Sequence, residues 1–300
     1  MKRTIALVAT LPLVLGACEL APKQSSQNGF RGTGMNQIVL AADATGMEEL
    51  ATPYVLPPPG AETAAKANKN VQVLGNISRE ELDYTMAAIT AWISPEEGCN
   101  YCHNPANLAS DEVYTKVVAR RMISMTQTLN ADWKPHTGQA GVTCWTCHRG
   151  NAIPAEYWTM PDPTESRGAA AVRRGGQNMP TANTAYTSLP GDFAARYLAK
   201  AADADKIKVS SATMHPTSAN RLTTMESEPT YALMNHMSDA LGVNCTFCHN
   251  TQAFREWNLS TPQRATAWHG IRMVGDINST YITPLASEFP KNRLGSQGDP

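Results

Sequence analysis

Aromatic residues are scarce. They make up 7% of the 300 residues, with only 5 Phe. Hydrophobic residues at 42% are nevertheless enough for a buried core, which argues against wholesale disorder. Something other than aromatic side chains must therefore help to fill the interior. An excess of one charge is missing as well. The chain has 25 Lys+Arg against 26 Asp+Glu, a net charge of −1, and so lacks the basic surplus that phosphate binding requires; nucleic acid is not expected as a partner. A long apolar run is also absent. The stretch from Thr4 to Gly16 is short and is interrupted by Pro12, which excludes a comfortable membrane span. Alternating strand patterns are nearly absent, which leaves a mainly α chain with very little strand.

What is abundant is order among the cysteines. Of 7 Cys, Cys18 stands alone. The other six form three C-x-x-C pairs, each followed at once by histidine: Cys99, Cys102 and His103; Cys144, Cys147 and His148; Cys245, Cys248 and His249. C-x-x-C-H is the attachment signature of c-type haem. Two thiols at this spacing match the two vinyl groups of the porphyrin, and the next residue is the proximal iron ligand. Zinc and redox disulfides are the rival readings. A zinc site would pair two C-x-x-C units and would need no His after each. Random placement of 7 Cys and 7 His over 300 residues gives roughly 0.004 such motifs, and three are present.

The N-terminus sets the compartment. Lys2 and Arg3 precede the apolar stretch, and the segment ends Leu15-Gly16-Ala17-Cys18, which is similar to a lipobox. This reads as a bacterial export signal over residues 1–17, with Cys18 as the lipid-bearing residue. Ordinary cleavage after Ala17, leaving a free thiol, is the alternative. Both readings place the mature chain outside the cytoplasmic membrane.

Residues 18–76 are rich in Pro, Gly, Ala and Asn and read as an extended arm. Residues 161–215 read as a second irregular connection, with a short helix over 193–204. Residues 77–160 and 216–300 carry units of one design: a helix, a loop, then C-x-x-C-H. The helices are expected from Ser78 to Ile93, from Ser110 to Leu129, from Glu226 to Leu241 and from Ser260 to Ile277. The fold class is thus a mainly α multihaem cytochrome c of repeated helix–loop–CxxCH units, with the cofactor as core.

Each proximal histidine leaves one axial position on its iron. Methionine or histidine there gives an electron-transfer haem, whereas an open position permits catalysis. The motif helices carry Met86, then Met122 and Met125, then Met234 and Met237. The paired methionines are three residues apart and share a face, so spacing does not choose between them. His136, which precedes His148 by twelve residues (148 − 136), reads from spacing alone as a surface or packed polar residue.

With these features assembled, the chain resembles the cytochrome c subunit of the photosynthetic reaction centre of purple bacteria. The interval from His103 to His148, the Pro/Gly-rich arm, the long connection, the segments Ser260 to Ala265 and Trp268 to Val274, and Arg293-Leu294-Gly295 all fit that family. The resemblance implies Met86 as distal ligand of the first haem, Met122 of the second and Met234 of the third. It also implies that His136 is the distal ligand of a fourth, bis-His haem. The family's fourth C-x-x-C-H follows the Arg293 segment, and these 300 residues contain three motifs. Three haem c groups are expected for the sequence as it stands.

The function implied is electron transfer without enzymatic turnover. The subunit would sit on the periplasmic face of the photosynthetic membrane, held by lipidated Cys18 and docked on the L and M subunits. It would re-reduce the photo-oxidised bacteriochlorophyll special pair with electrons from a soluble cytochrome c2 or a high-potential iron–sulfur protein. Glu80, Glu81, Asp83, Glu96 and Glu97 form an acidic group suited to a basic donor; the plain alternative is a solvated helix start whose acids suit the dipole. The rivals for the whole chain are a free-standing multihaem lipoprotein carrier of another chain and a multihaem reductase. The reductase would need an open haem with acid–base groups beside it.

Overall fold

The computed structural model describes residues 23–27, 36–40, 55–154, 177–178, 180–207, 224–295 and 298. Cys18, the export signal and residues 161–176, 179 and 208–215 of the 161–215 connection lie outside the described residues. The chain divides into two units, 1–48 and 49–300. In the first, β1 (Lys23–Gln27) and β2 (Asn36–Leu40) pair antiparallel, with Lys23 opposite Leu40 and Gln27 opposite Asn36. The segment read as an extended arm thus contains a strand pair, which its polar, non-periodic sequence does not announce.

The second unit is helical among its described residues. A single turn, α1 (Ala64–Ala67), is pinned to the start of the next helix: Ala64 N–H donates to the Ile77 carbonyl at 2.8 Å and Arg79 N–H to the Glu62 carbonyl at 3.1 Å. Helix α2 (Arg79–Ile93) starts where the sequence says it should. Ser78 Oγ accepts from Glu81 N–H at 3.2 Å, and the Glu81 carboxylate accepts from Ser78 N–H at 2.8 Å. Pro95 follows its Ser94 C-cap and prevents continuation.

Helix α3 (Tyr114–Asp132) begins four residues after the expected Ser110 (114 − 110). Ser110 and Asp111 are committed to the preceding loop instead: Ser110 Oγ accepts from Glu112 N–H at 3.2 Å, and Asp111 pairs with Arg120. A turn, α4 (Lys134–Thr137), follows at once, with Pro135 in its first turn where no N–H is missed. Helix α5 (Cys144–His148) is the second C-x-x-C-H itself. Thr143 and Thr146 cap it reciprocally, and Arg149 ends it in the left-handed region at φ 48°.

The expected helix over 193–204 is split into α6 (Phe193–Tyr197) and a 3₁₀ stretch over Ala201–Ile207. Helix α7 (Thr224–Leu241) contains Pro229, and α8 (Pro262–Asp276) runs on into a π-helical turn over Ile277–Ile282. A small core joins α6 and α7: Phe193, Tyr197, Leu198, Ala232 and Leu233 are buried, with Ile271 and Val274 of α8 packed against them. Gly275 lets the backbone at Lys200 and Ala201 approach α8 closer than any Cβ would allow. At its far end α8 is tied to α3. The Tyr281 hydroxyl donates to Thr128 Oγ1 at 2.7 Å, and Trp133 Nε1–H to Asp276 at 3.2 Å.

Candidate functional site

All three C-x-x-C-H motifs lie in tight helical turns, which turn consecutive side chains toward one region. The first spans a 3₁₀ turn over Gly98–Tyr101, the second is α5, and the third is a 3₁₀ turn over Cys245–Phe247, with the Asn244 side chain accepting from Thr246 N–H at 3.0 Å. None of the six motif cysteines is paired in a disulfide. Burial raises the thiols of Cys102, Cys144, Cys147 and Cys248 above their ordinary value. Redox-active and metal-binding thiols are ordinarily shifted the other way. Among the described residues no three His, Cys, Asp or Glu side chains converge on a shared metal position.

The three motif histidines share one orientation. Nδ1 of His103 lies 3.1 Å from the Leu108 carbonyl, Nδ1 of His148 2.9 Å from the Asn151 carbonyl, and Nδ1 of His249 3.1 Å from the Phe254 carbonyl. A carbonyl can only accept, so each Nδ1 carries a proton, and in the neutral tautomer this leaves the Nε2 lone pair for a metal. A neutral imidazole fixed by a carbonyl at its far nitrogen is the standard form of a metal-ligating histidine. Burial also lowers the His249 pKa, which favours the neutral ring. The residues present therefore fit a covalently attached haem: two thiols and one oriented imidazole in each motif.

The first and third motifs are the same structure built twice, 146 residues apart (249 − 103). In both, the histidine bonds the carbonyl five residues on. In both, a threonine fourteen residues beyond the residue before the second cysteine closes the turn. Thr115 Oγ1 donates to the Tyr101 carbonyl and Thr261 Oγ1 to the Phe247 carbonyl. These hydroxyls satisfy a carbonyl that the turn leaves unpaired. The sequence carried this signal as a threonine twelve residues after each histidine (115 − 103 and 261 − 249). The second motif uses its own Thr143–Thr146 cap instead.

The expected distal residues lie on the expected helices. Met86 is on α2, Met122 on α3 and Met234 on α7, and all three are half-buried. Met234 and Met237 both pack on the α6–α7 core, so burial does not separate this pair. His136 is part of α4. Its Nδ1 lies 3.0 Å from the Thr266 carbonyl of α8, and its ring lies against Gly270. It thus has the same carbonyl-fixed orientation as the motif histidines.

The acidic group around the first motif is divided. Glu81 is spent on its capping box, Glu80 accepts from Gly60 N–H at 3.1 Å, and Asp83 lies 3.8 Å from Arg79. Glu96 and Glu97 remain exposed beside Cys99. The plain reading thus accounts for the helix start, and the last two acids stay free for another role.

The family model described as the photosynthetic reaction centre cytochrome C subunit matches residues 19–300. The photosynthetic reaction center cytochrome c subunit of Rubrivivax gelatinosus is 43% identical over 99% of this chain and 81% of its own length. Its namesake in Thermochromatium tepidum is 42% identical over 98% and 72%. That of Roseobacter denitrificans is 41% identical over 92% and 77%.

Proposed function

Since the chain belongs to the photosynthetic reaction centre cytochrome c subunit family, we propose that it re-reduces the photo-oxidised bacteriochlorophyll special pair. Membership carries an electron-transfer role in the reaction centre and an association with that membrane assembly. The contact surface is that of the L and M subunits. The electrons come from a soluble cytochrome c2 or a high-potential iron–sulfur protein.

Haem c supplies a one-electron Fe(III)/Fe(II) couple when bound. Cys99 and Cys102, Cys144 and Cys147, and Cys245 and Cys248 tether three such groups, with His103, His148 and His249 as proximal ligands. Met86, Met122 and Met234 would supply the remaining ligands. Thioether sulfur favours the ferrous state, so these ligands hold the couple high enough to donate to a strong oxidant. His136 is, by the family's pattern, the distal ligand of a fourth haem whose Cys-x-x-Cys-His is not among these 300 residues. The observation that carries the reading is the repeated motif itself, with three thiol pairs and three imidazoles fixed at Nδ1.

No helix of the described residues is long and apolar enough to cross a membrane. Attachment on the periplasmic face is assigned to a lipid on Cys18, and docking on the membrane subunits reinforces it. The motif design supports a carrier over an enzyme. Met86, Met122 and Met234 would close the side of each iron that the reductase reading would need bare. Co-purification separates the remaining rival. The subunit solubilised from native membranes should accompany the bacteriochlorophyll-binding L and M subunits. Recovery free of bacteriochlorophyll under mild detergent would assign it to another chain.

A further inference from the structure

The carbonyl of Leu108 has two donors. His103 Nδ1–H reaches it at 3.1 Å and the Lys116 ammonium at 2.8 Å. Lys116 is 8% exposed, so a buried cation sits on the carbonyl that orients the proximal histidine. Its other contacts are the Ser110 carbonyl at 2.7 Å and Asp111 at 3.2 Å. An oxygen already bonded to an ammonium has its electron density drawn toward that charge, and a desolvated setting strengthens the effect. It is then a weaker acceptor for a second donor. The His103 N–H is pulled less, and the ring is less electron-rich at Nε2.

The third motif supplies an internal control. His249 bonds the Phe254 carbonyl at the same 3.1 Å, but the residue equivalent to Lys116 is Pro262 (116 + 146), which has neither charge nor N–H. The nearby cation, Arg264, is engaged elsewhere, with the Ser260 hydroxyl at 2.7 Å and the Glu256 carbonyl at 3.3 Å. The two matching histidine–carbonyl pairs thus differ at this oxygen, which is shared with a buried cation in the first motif and bonded by His249 in the third.

The geometry points to Lys116 as a tuning residue for the first motif. It acts through the Leu108 carbonyl on His103, weakens the proximal imidazole as an electron donor, and favours the ferrous state of the iron that His103 holds. This rests on the reading of His103 as an iron ligand. Second-sphere hydrogen bonding of the axial ligand is one of the few levers a protein has over such a couple.

The test compares Lys116→Met with Arg120→Met in the full haem-bearing protein. Both substitutions remove a cation paired with Asp111 from the same helix, but only Lys116 touches the Leu108 carbonyl. In the ferrous protein, the His103 ring N–H resonance should move downfield in K116M and stay in place in R120M. At fixed poise the ferrous:ferric ratio of the first haem should fall roughly threefold to tenfold in K116M, the scale of one hydrogen bond's net worth. The third haem should not change. K116Q keeps a neutral donor and serves if K116M does not accumulate; its shift is smaller and of the same sign. An unmoved His103 resonance on a properly ligated iron overturns the tuning role alone, as does an equal displacement in R120M. Absence of haem ligation by His103 overturns the underlying assignment as well.

Discussion

The imidazole of His136 rests on the bare Cα of Gly270. A methyl group at that position would lie 2.5 Å from Cε1 and 2.7 Å from Nδ1. The glycine is buried in the middle of α8, where alanine ordinarily gains about 1 kcal/mol over glycine. Here the sign reverses. Gly270→Ala is expected to cost about 1–3 kcal/mol through overpacking, read by denaturant unfolding. In a His136→Ala background the same change should become neutral or stabilising. A similar cost in both backgrounds would show that the ring is not what the glycine accommodates.

The axial assignments predict a one-to-one correspondence between methionines and haems. Met86→Leu, Met122→Leu and Met234→Leu conserve volume and should cost less than about 1.5 kcal/mol each. Each should convert a single haem to a five-coordinate, high-spin form, counted by electron paramagnetic resonance of the ferric protein. Met125→Leu and Met237→Leu should leave every haem low-spin. A high-spin signal from either of these would move the ligand by one turn.

Asp111 should make the loop after the first motif acid-sensitive. Its hydrogen bonds from the Arg120 guanidinium hold its carboxyl well below the ordinary carboxylate range, with Asn70 and Lys116 adding to the effect. The carboxylate is 38% exposed, but its two cations are buried to 13% and 9% exposure. A depressed pKa contributes stability above the unfolded value, about 3.9 for Asp, and that stability is lost as pH falls through the folded value. Wild type should therefore exceed Asp111→Asn in melting temperature at neutral pH, and the gap should close below about pH 4. A gap independent of pH would show that the loss is of packing rather than charge.

Glu96 and Glu97 are exposed acids beside the first motif that are not used in capping the helix start. Replacing both with Gln should slow reduction by a basic soluble donor and flatten the dependence of that rate on ionic strength, with little change in stability. Stopped-flow reduction over a salt series measures both. An unchanged rate and slope would place the donor elsewhere.

Much of the site was legible because covalent haem attachment is local in sequence. Two thiols and an imidazole must fall within five residues, and no fold is needed to see them. The start of α2 was legible for the same reason, since Ser78 and Glu81 form a cap from neighbouring residues. What escaped depends on contacts distant in sequence. Thr115 and Thr261 look like ordinary helix-start residues until they are seen holding a carbonyl fourteen positions back. Lys116 reads as a solvated charge until the loop over 108–111 folds around it. His136 needed α8, more than a hundred residues later, to give it an orientation. The late start of α3 has the same cause, because Asp111 is drawn away from the helix by Arg120.

The central claim is electron donation to the special pair, and flash spectroscopy on membranes containing the subunit tests it most directly. After a single flash, re-reduction of the bacteriochlorophyll cation should coincide with bleaching of a ferrous c-haem band. Removal of the subunit should slow that re-reduction while leaving primary charge separation intact. Recovery of the cation at the same rate without the subunit, with its haems still reduced after the flash, would contradict the account.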